Sequence, residues 1–146
     1  MSPPDPFWFA AAFPLLWVAV TGGISLMSGW HSLADRFRSS EAIEGETFRF
    51  RSASMGWRFF PANYNGCLFS TVGARGFSLS LFFPFRFLHP RLVIPWAAVA
   101  SCTHERLLMI DKVTIHIRDF DRRLRIRGSL GIRILQDWQR YRAVAV

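Results

Sequence analysis

Reactive and metal-binding side chains are scarce in this chain. Cys67 and Cys102 are the only cysteines and form no CxxC pair. That spacing excludes a metal knuckle and a disulfide framework, and leaves two small apolar residues kept reduced in a cytoplasm. No HExxH, GxSxG, GxxxxGK or GxGxxG occurs, so the sequence holds no sign of a zinc hydrolase, a serine nucleophile or a phosphate-cradling loop. Cys102, His104 and Glu105 lie close together, with His116 further on. Strand alternation sends Cys102 and His104 to one face and Glu105 to the other, which speaks against three converging metal ligands. Asp119 and Asp121 are ordinary turn residues. Without a nucleophile, base and orienter, the expectation is a protein that is no enzyme and takes no metal or cofactor.

Lysine is nearly missing as well. Of 18 basic residues only Lys112 is not arginine, and ten acidic residues leave a net charge of +8. Such an excess calls for an anionic neighbour, either nucleic acid or lipid head groups.

Charge is absent altogether from residues 7–27, a run of Phe, Trp, Ala, Leu, Val and Ile with few interruptions. A helix rising about 1.5 Å per residue spans roughly 30 Å over such a run, the thickness of a hydrocarbon core. A secretory signal would begin with basic residues and have a shorter apolar core, whereas this chain begins Met-Ser-Pro-Pro-Asp-Pro. Residues 1–30 therefore read as a retained transmembrane anchor. Pro14 and the Gly22-Gly23 pair are tolerated in lipid, and Trp8 and Trp30 stand near its ends as interfacial aromatics do. Asp5 precedes the run and Arg36 and Arg38 follow it, so the positive-inside rule puts the rest of the chain in the cytoplasm.

From the end of the anchor, Trp30, Leu33, Ala34 and Phe37 recur at helical spacing, leading into a juxtamembrane segment and linker over residues 31–46. This amphipathic segment either lies among head groups or packs on the domain. A β domain follows over residues 47–146. From Thr47 the period changes to 2: Phe48 and Phe50, alternating with Arg49 and Arg51, are expected to share the core face. Residues 54–63 read as a long connection, and Asn65-Gly66 as a tight turn. Further strands are expected at 67–72, 77–83, 92–94, 99–107, 112–118 and 123–127. Leu130, Ile134, Trp138 and Tyr141 then form the stripe of a C-terminal helix that needs a sheet to cover.

Seven short strands in meander order, closed by one amphipathic helix, resemble the pleckstrin-homology-like superfamily, including its GRAM branch. Residues 76–99 carry the likeness furthest: a glycine turn, a strand ending Leu81-Phe82-Phe83, then His89-Pro90-Arg91-Leu92-Val93-Ile94-Pro95-Trp96. This stretch is similar to bacterial proteins that carry such a module behind one membrane helix. The resemblance implies a seven-stranded antiparallel β-barrel or sandwich capped by the last helix, at the inner membrane of a bacterium. It also implies binding of lipid head groups, peptides or protein surfaces rather than catalysis. Phosphoinositide-binding members place Lys-x-Arg near the first hairpin; Arg49-Phe50-Arg51 keeps only the spacing, so no binding residue is carried over.

Two candidate sites emerge. Arg123, Arg125 and Arg127 project from one strand face, with Arg118 and Arg122 beside the preceding turn, as an anionic-surface row that competes with a plain solvated face. Phe85, Phe87 and Leu88, in the apolar loop 82–88, form either a hydrophobic finger or a loop folded over the barrel mouth. The expected function is a membrane-anchored binding or scaffold module for a protein partner or anionic lipid. The alternative is a nucleic-acid-binding basic barrel, which needs aromatics exposed beside the arginines.

Overall fold

A computed structural model describes residues 3, 5–39, 41, 43–56, 61–82, 86 and 89–145. The first helix, α1 (Pro6–Ser28), is long and apolar enough to cross a membrane. Its side chains are almost all exposed, and only Thr21, Ser25 and Ser28 are buried, at the end nearest the β domain. Gly29 ends it in the left-handed region, at φ 88°, and α2 (Trp30–Phe37) starts at the next residue. Only glycine fits there. A Cβ would lie 2.6 Å from Arg122 Cδ and 2.7 Å from Phe120 Cζ, and the backbone angle itself disfavours a side chain.

Seven antiparallel strands make one curled half-barrel. They are β1 (Gly45–Gly56), β2 (Pro61–Gly73), β3 (Gly76–Leu81), β4 (Leu92–Pro95), β5 (Val99–Leu107), β6 (Ile110–Ile117) and β7 (Arg123–Arg127), in the order β4-β3-β2-β1-β7-β6-β5. A single 3-10 turn, Trp96–Ala98, joins β4 to β5. Alternation sets the core where the sequence predicted it: Phe77, Leu79 and Leu81, then Val113, Ile115 and Ile117, then Leu124 and Ile126, are all buried.

α3 (Ser129–Ala145) lays Leu130, Ile134 and Trp138 on β5, β6 and β7, while Tyr141 is left exposed. Burial of each of these three is worth roughly 1.5–3 kcal/mol. Gly131 permits the close approach, since a Cβ there would meet the Ile126 carbonyl oxygen at 2.6 Å. At the other opening, α2 buries Trp30, Leu33 and Ala34 and runs beside the β4 edge. Arg38 bridges to Leu92, the Ser39 N–H donates to the Arg91 carbonyl at 3.2 Å, and Arg36 Nη1 donates to the Arg118 carbonyl at 2.7 Å. The amphipathic segment thus packs on the domain. Covering an edge strand in this way removes a pairing template.

Three expectations are corrected. Residues 54–56 and 61–63 belong to β1 and β2 rather than to a long connection, since Ser54 pairs with Asn63 and Met55 with Ala62. Asn65-Gly66 is no hairpin turn. It is the extra pair of residues in β2 where the register jumps between Arg51↔Leu68 and Ala53↔Tyr64, with Gly66 at φ 68° and its N–H donating to Ser52 Oγ at 2.9 Å. Trp30 is not an interfacial anchor, because it is 1% exposed and part of the core.

Candidate membrane interface

The apolar helix α1 and the sheet meet in a buried polar cluster. Tyr64 on β2 donates its hydroxyl hydrogen to Ser28 Oγ at 2.9 Å, and His89 Nε2 lies 3.1 Å from the same phenol oxygen. Ser28 also accepts from the Trp30 N–H at 3.2 Å and donates to the Ser25 carbonyl at 3.3 Å. Trp30 packs edge-on against both Tyr64 and His89, and its indole N–H donates to the Pro90 carbonyl at 2.8 Å. Burial pushes the Tyr64 phenol up to about 12, against a smaller downward pull from the Ser28 hydrogen bond. This cluster gives Trp30, Tyr64 and His89 one structural role, which the sequence did not reveal because they come from three distant segments.

The arginine row divides in two. Arg123, Arg125 and Arg127 stand on the outer face of β7, with Leu124 and Ile126 buried beneath. Arg125 sits between Ser54 of β1 and Thr114 of β6, and Arg127 lies opposite Lys112. None of the three makes an ion pair among the described residues. Arg118 and Arg122 also make contacts within the fold. Arg118 Nε donates to the Ala97 carbonyl at 3.0 Å, while Arg122 covers Gly29 and lies 3.6 Å from Asp121.

Phe50 overturns the expectation that it shares the core face with Phe48. Phe48 is buried, but a register shift after it leaves Phe50 at φ 53° and 60% exposed. The extra residue changes which face the side chain takes. Phe50 and Phe82, both exposed, then group with the half-buried Phe69, with ring centroids 5.1 to 6.1 Å apart. Beside them a shallow depression of about 330 Å³ is lined by Arg49, Arg91, Thr47, Thr71, Ser78 and Ser80. Phe85, Phe87 and Leu88 lie outside the described residues.

At the far end of β6, the hairpin Leu107-Leu108-Met109-Ile110 is exposed throughout, at 69%, 88%, 84% and 54%. Sequence reading passed over it, although four apolar residues between two alternating segments were the available signal. His104, one of the residues weighed for metal, instead pairs with Asp111 at 2.9 Å. Cys102 is half-buried, and that burial pushes its thiol up to about 12.

Comparison with protein-family models, curated proteins and solved structures finds no match to this chain.

Proposed function

We propose that this chain is a single-pass, non-catalytic binding module that holds a basic pleckstrin-homology-like barrel against the cytoplasmic face of a bacterial inner membrane. There it meets anionic lipid or a protein partner. The observation that carries this reading is the polar staple of Ser28, Tyr64 and His89, which ties an exposed, membrane-length helix to the β domain. An apolar helix left bare on one side and locked to a folded domain on the other suits a bilayer better than water. The strand order and the helix over β5, β6 and β7 support the superfamily reading. Arg123, Arg125 and Arg127 each contribute about 1 kcal/mol of attraction when close to an anionic leaflet.

Membrane fractionation with an alkaline carbonate wash tests the anchor, and a C-terminal reporter fusion tests its orientation. Full-length protein that stays with the membrane, with a reporter active only in the cytoplasm, is the expected result. Recovery in the soluble fraction refutes it.

A nucleic-acid reading gains one observation, the exposed Phe50 and half-buried Phe69 beside Arg49 and Arg91, since stacking platforms have that composition. Titration of single-stranded nucleic acid against the detergent-solubilised chain decides it. Binding that weakens steeply with salt and is lost in Phe50→Ala supports this reading, and no binding at low salt ends it.

A further inference from the structure

We infer that the β5–β6 hairpin tip, Leu107 to Ile110, is a second membrane contact that inserts between anionic phospholipid head groups and lays the β domain on its side. The inference rests on the membrane-anchor reading and adds to it a site, an orientation and a ligand class.

The tip is built at a cost. Leu107 pairs with Ile110, leaving Leu108 and Met109 as the two turn residues, with φ values of 51° and 69°. Two positive angles define the type I′ hairpin, whose favoured residues are Asn and Gly. Leucine and methionine in the left-handed region are strained, and neither is repaid by packing, since both are more than four-fifths exposed. A turn chosen for the fold alone would not use them. An apolar environment outside the protein accounts for both the strain and the exposure.

Continuity identifies that environment as the bilayer. Arg122, at the start of the row, packs on Gly29 where the span ends. Arg123, Arg125 and Arg127 follow on one face of β7, spaced about 7 Å apart by strand geometry. Arg127 is opposite Lys112, which lies two residues from Ile110. A basic strip therefore runs from the anchor to the apolar tip. Its neighbours on the outer face of β1 and β6 are Ser54, Thr114 and His116, none of them acidic; on β5, Glu105 sits opposite Lys112. Anchor at one end, apolar tip at the other and cations between them match a flat anionic leaflet. A protein groove would require only the tip.

The test uses the full chain reconstituted in phosphatidylcholine vesicles with or without phosphatidylglycerol. An environment-sensitive fluorophore is placed at Ile110→Cys in a Cys67→Ser, Cys102→Ser background, with a second labelled chain carrying Ala74→Cys at the exposed β2–β3 turn. With phosphatidylglycerol, the tip label shifts to the blue and is quenched by head-group-proximal doxyl lipid, whereas the Ala74 label stays water-like. Leu108→Asn with Met109→Gly, which suits the turn and keeps the hairpin, loses the shift. So does Arg123→Glu with Arg125→Glu and Arg127→Glu. A water-like tip in a chain that resists carbonate extraction overturns the inference and leaves the anchor standing. A chain that fails to enter vesicles overturns the anchor reading itself. Equal quenching without phosphatidylglycerol overturns the role given to the arginine strip.

Discussion

Tyr64 and Ser28, 36 residues apart, share a 2.9 Å hydrogen bond that joins the sheet to the end of the apolar helix. Tyr64 is 5% exposed and Ser28 fully buried, so water cannot replace the bond when one partner is lost. Tyr64→Phe leaves His89 Nε2 without its phenol partner and removes one donor to Ser28. The expected cost is about 1–2 kcal/mol, read as a lower midpoint in thermal unfolding of the full chain in detergent micelles. An unchanged midpoint would show that the cluster adds nothing to the union of helix and sheet.

Gly29 is the second test of the joint. Gly29→Ala adds a methyl group 2.6 Å from Arg122 Cδ at a backbone angle of φ 88°. Backbone strain alone costs about 1–2 kcal/mol, and displacing Arg122 from its place over the α1–α2 turn adds to it. Faster amide hydrogen exchange in α2 and in residues 118–122 should accompany the loss. Exchange confined to α1 would mean that the turn is not gripped by the sheet.

Alkaline pH loosens the fold through the buried Tyr64 and the half-buried Cys102. Burial raises Cys102 from 9.0 to about 12 and Tyr64 from 10.0 to about 12, so the folded state favours the protonated, neutral form of each. Their contribution is complete below the ordinary value and is lost as pH climbs from 9.0 towards about 12. Denaturation midpoints measured across this range should fall. In Cys102→Ala they should fall less steeply, and an identical slope would refute the assignment to this thiol.

The hairpin tip trades stability for exposure. Leu108→Asn with Met109→Gly relieves two left-handed side-chain positions and should stabilise the chain by about 1–2 kcal/mol in detergent, where no leaflet competes. A drop in stability would mean that Leu108 and Met109 pack on something in the folded chain.

Periodicity carried much of this architecture. The alternation of Val113, Ile115 and Ile117 with Thr114 and His116, and the stripe through Leu130, Ile134 and Trp138, are local signals, and each produced its element with the right face inward. Period-2 reasoning failed where one strand gains residues its neighbour lacks. Phe50 faces out because β1 is bulged after Phe48, and Asn65-Gly66 sits inside β2 because that strand gains two residues over its neighbour there. Nothing within a few residues of either site announces a bulge, since it exists only in relation to a partner strand. Trp30 misled for a similar reason. Its position at the end of an apolar run has the look of an interfacial anchor, but Tyr64 and His89 come from far along the chain to enclose it.

The joint at Gly29 also fixes how far this protein can act. With one residue between α1 and a helix sunk in the domain, the β domain has no leash along which to swing away from α1. A tilt or rotation of α1 carries the sheet with it, as a blade follows its handle. On the anchor proposed above, whatever the module engages must come within the β domain's width of the bilayer, or diffuse in the same plane.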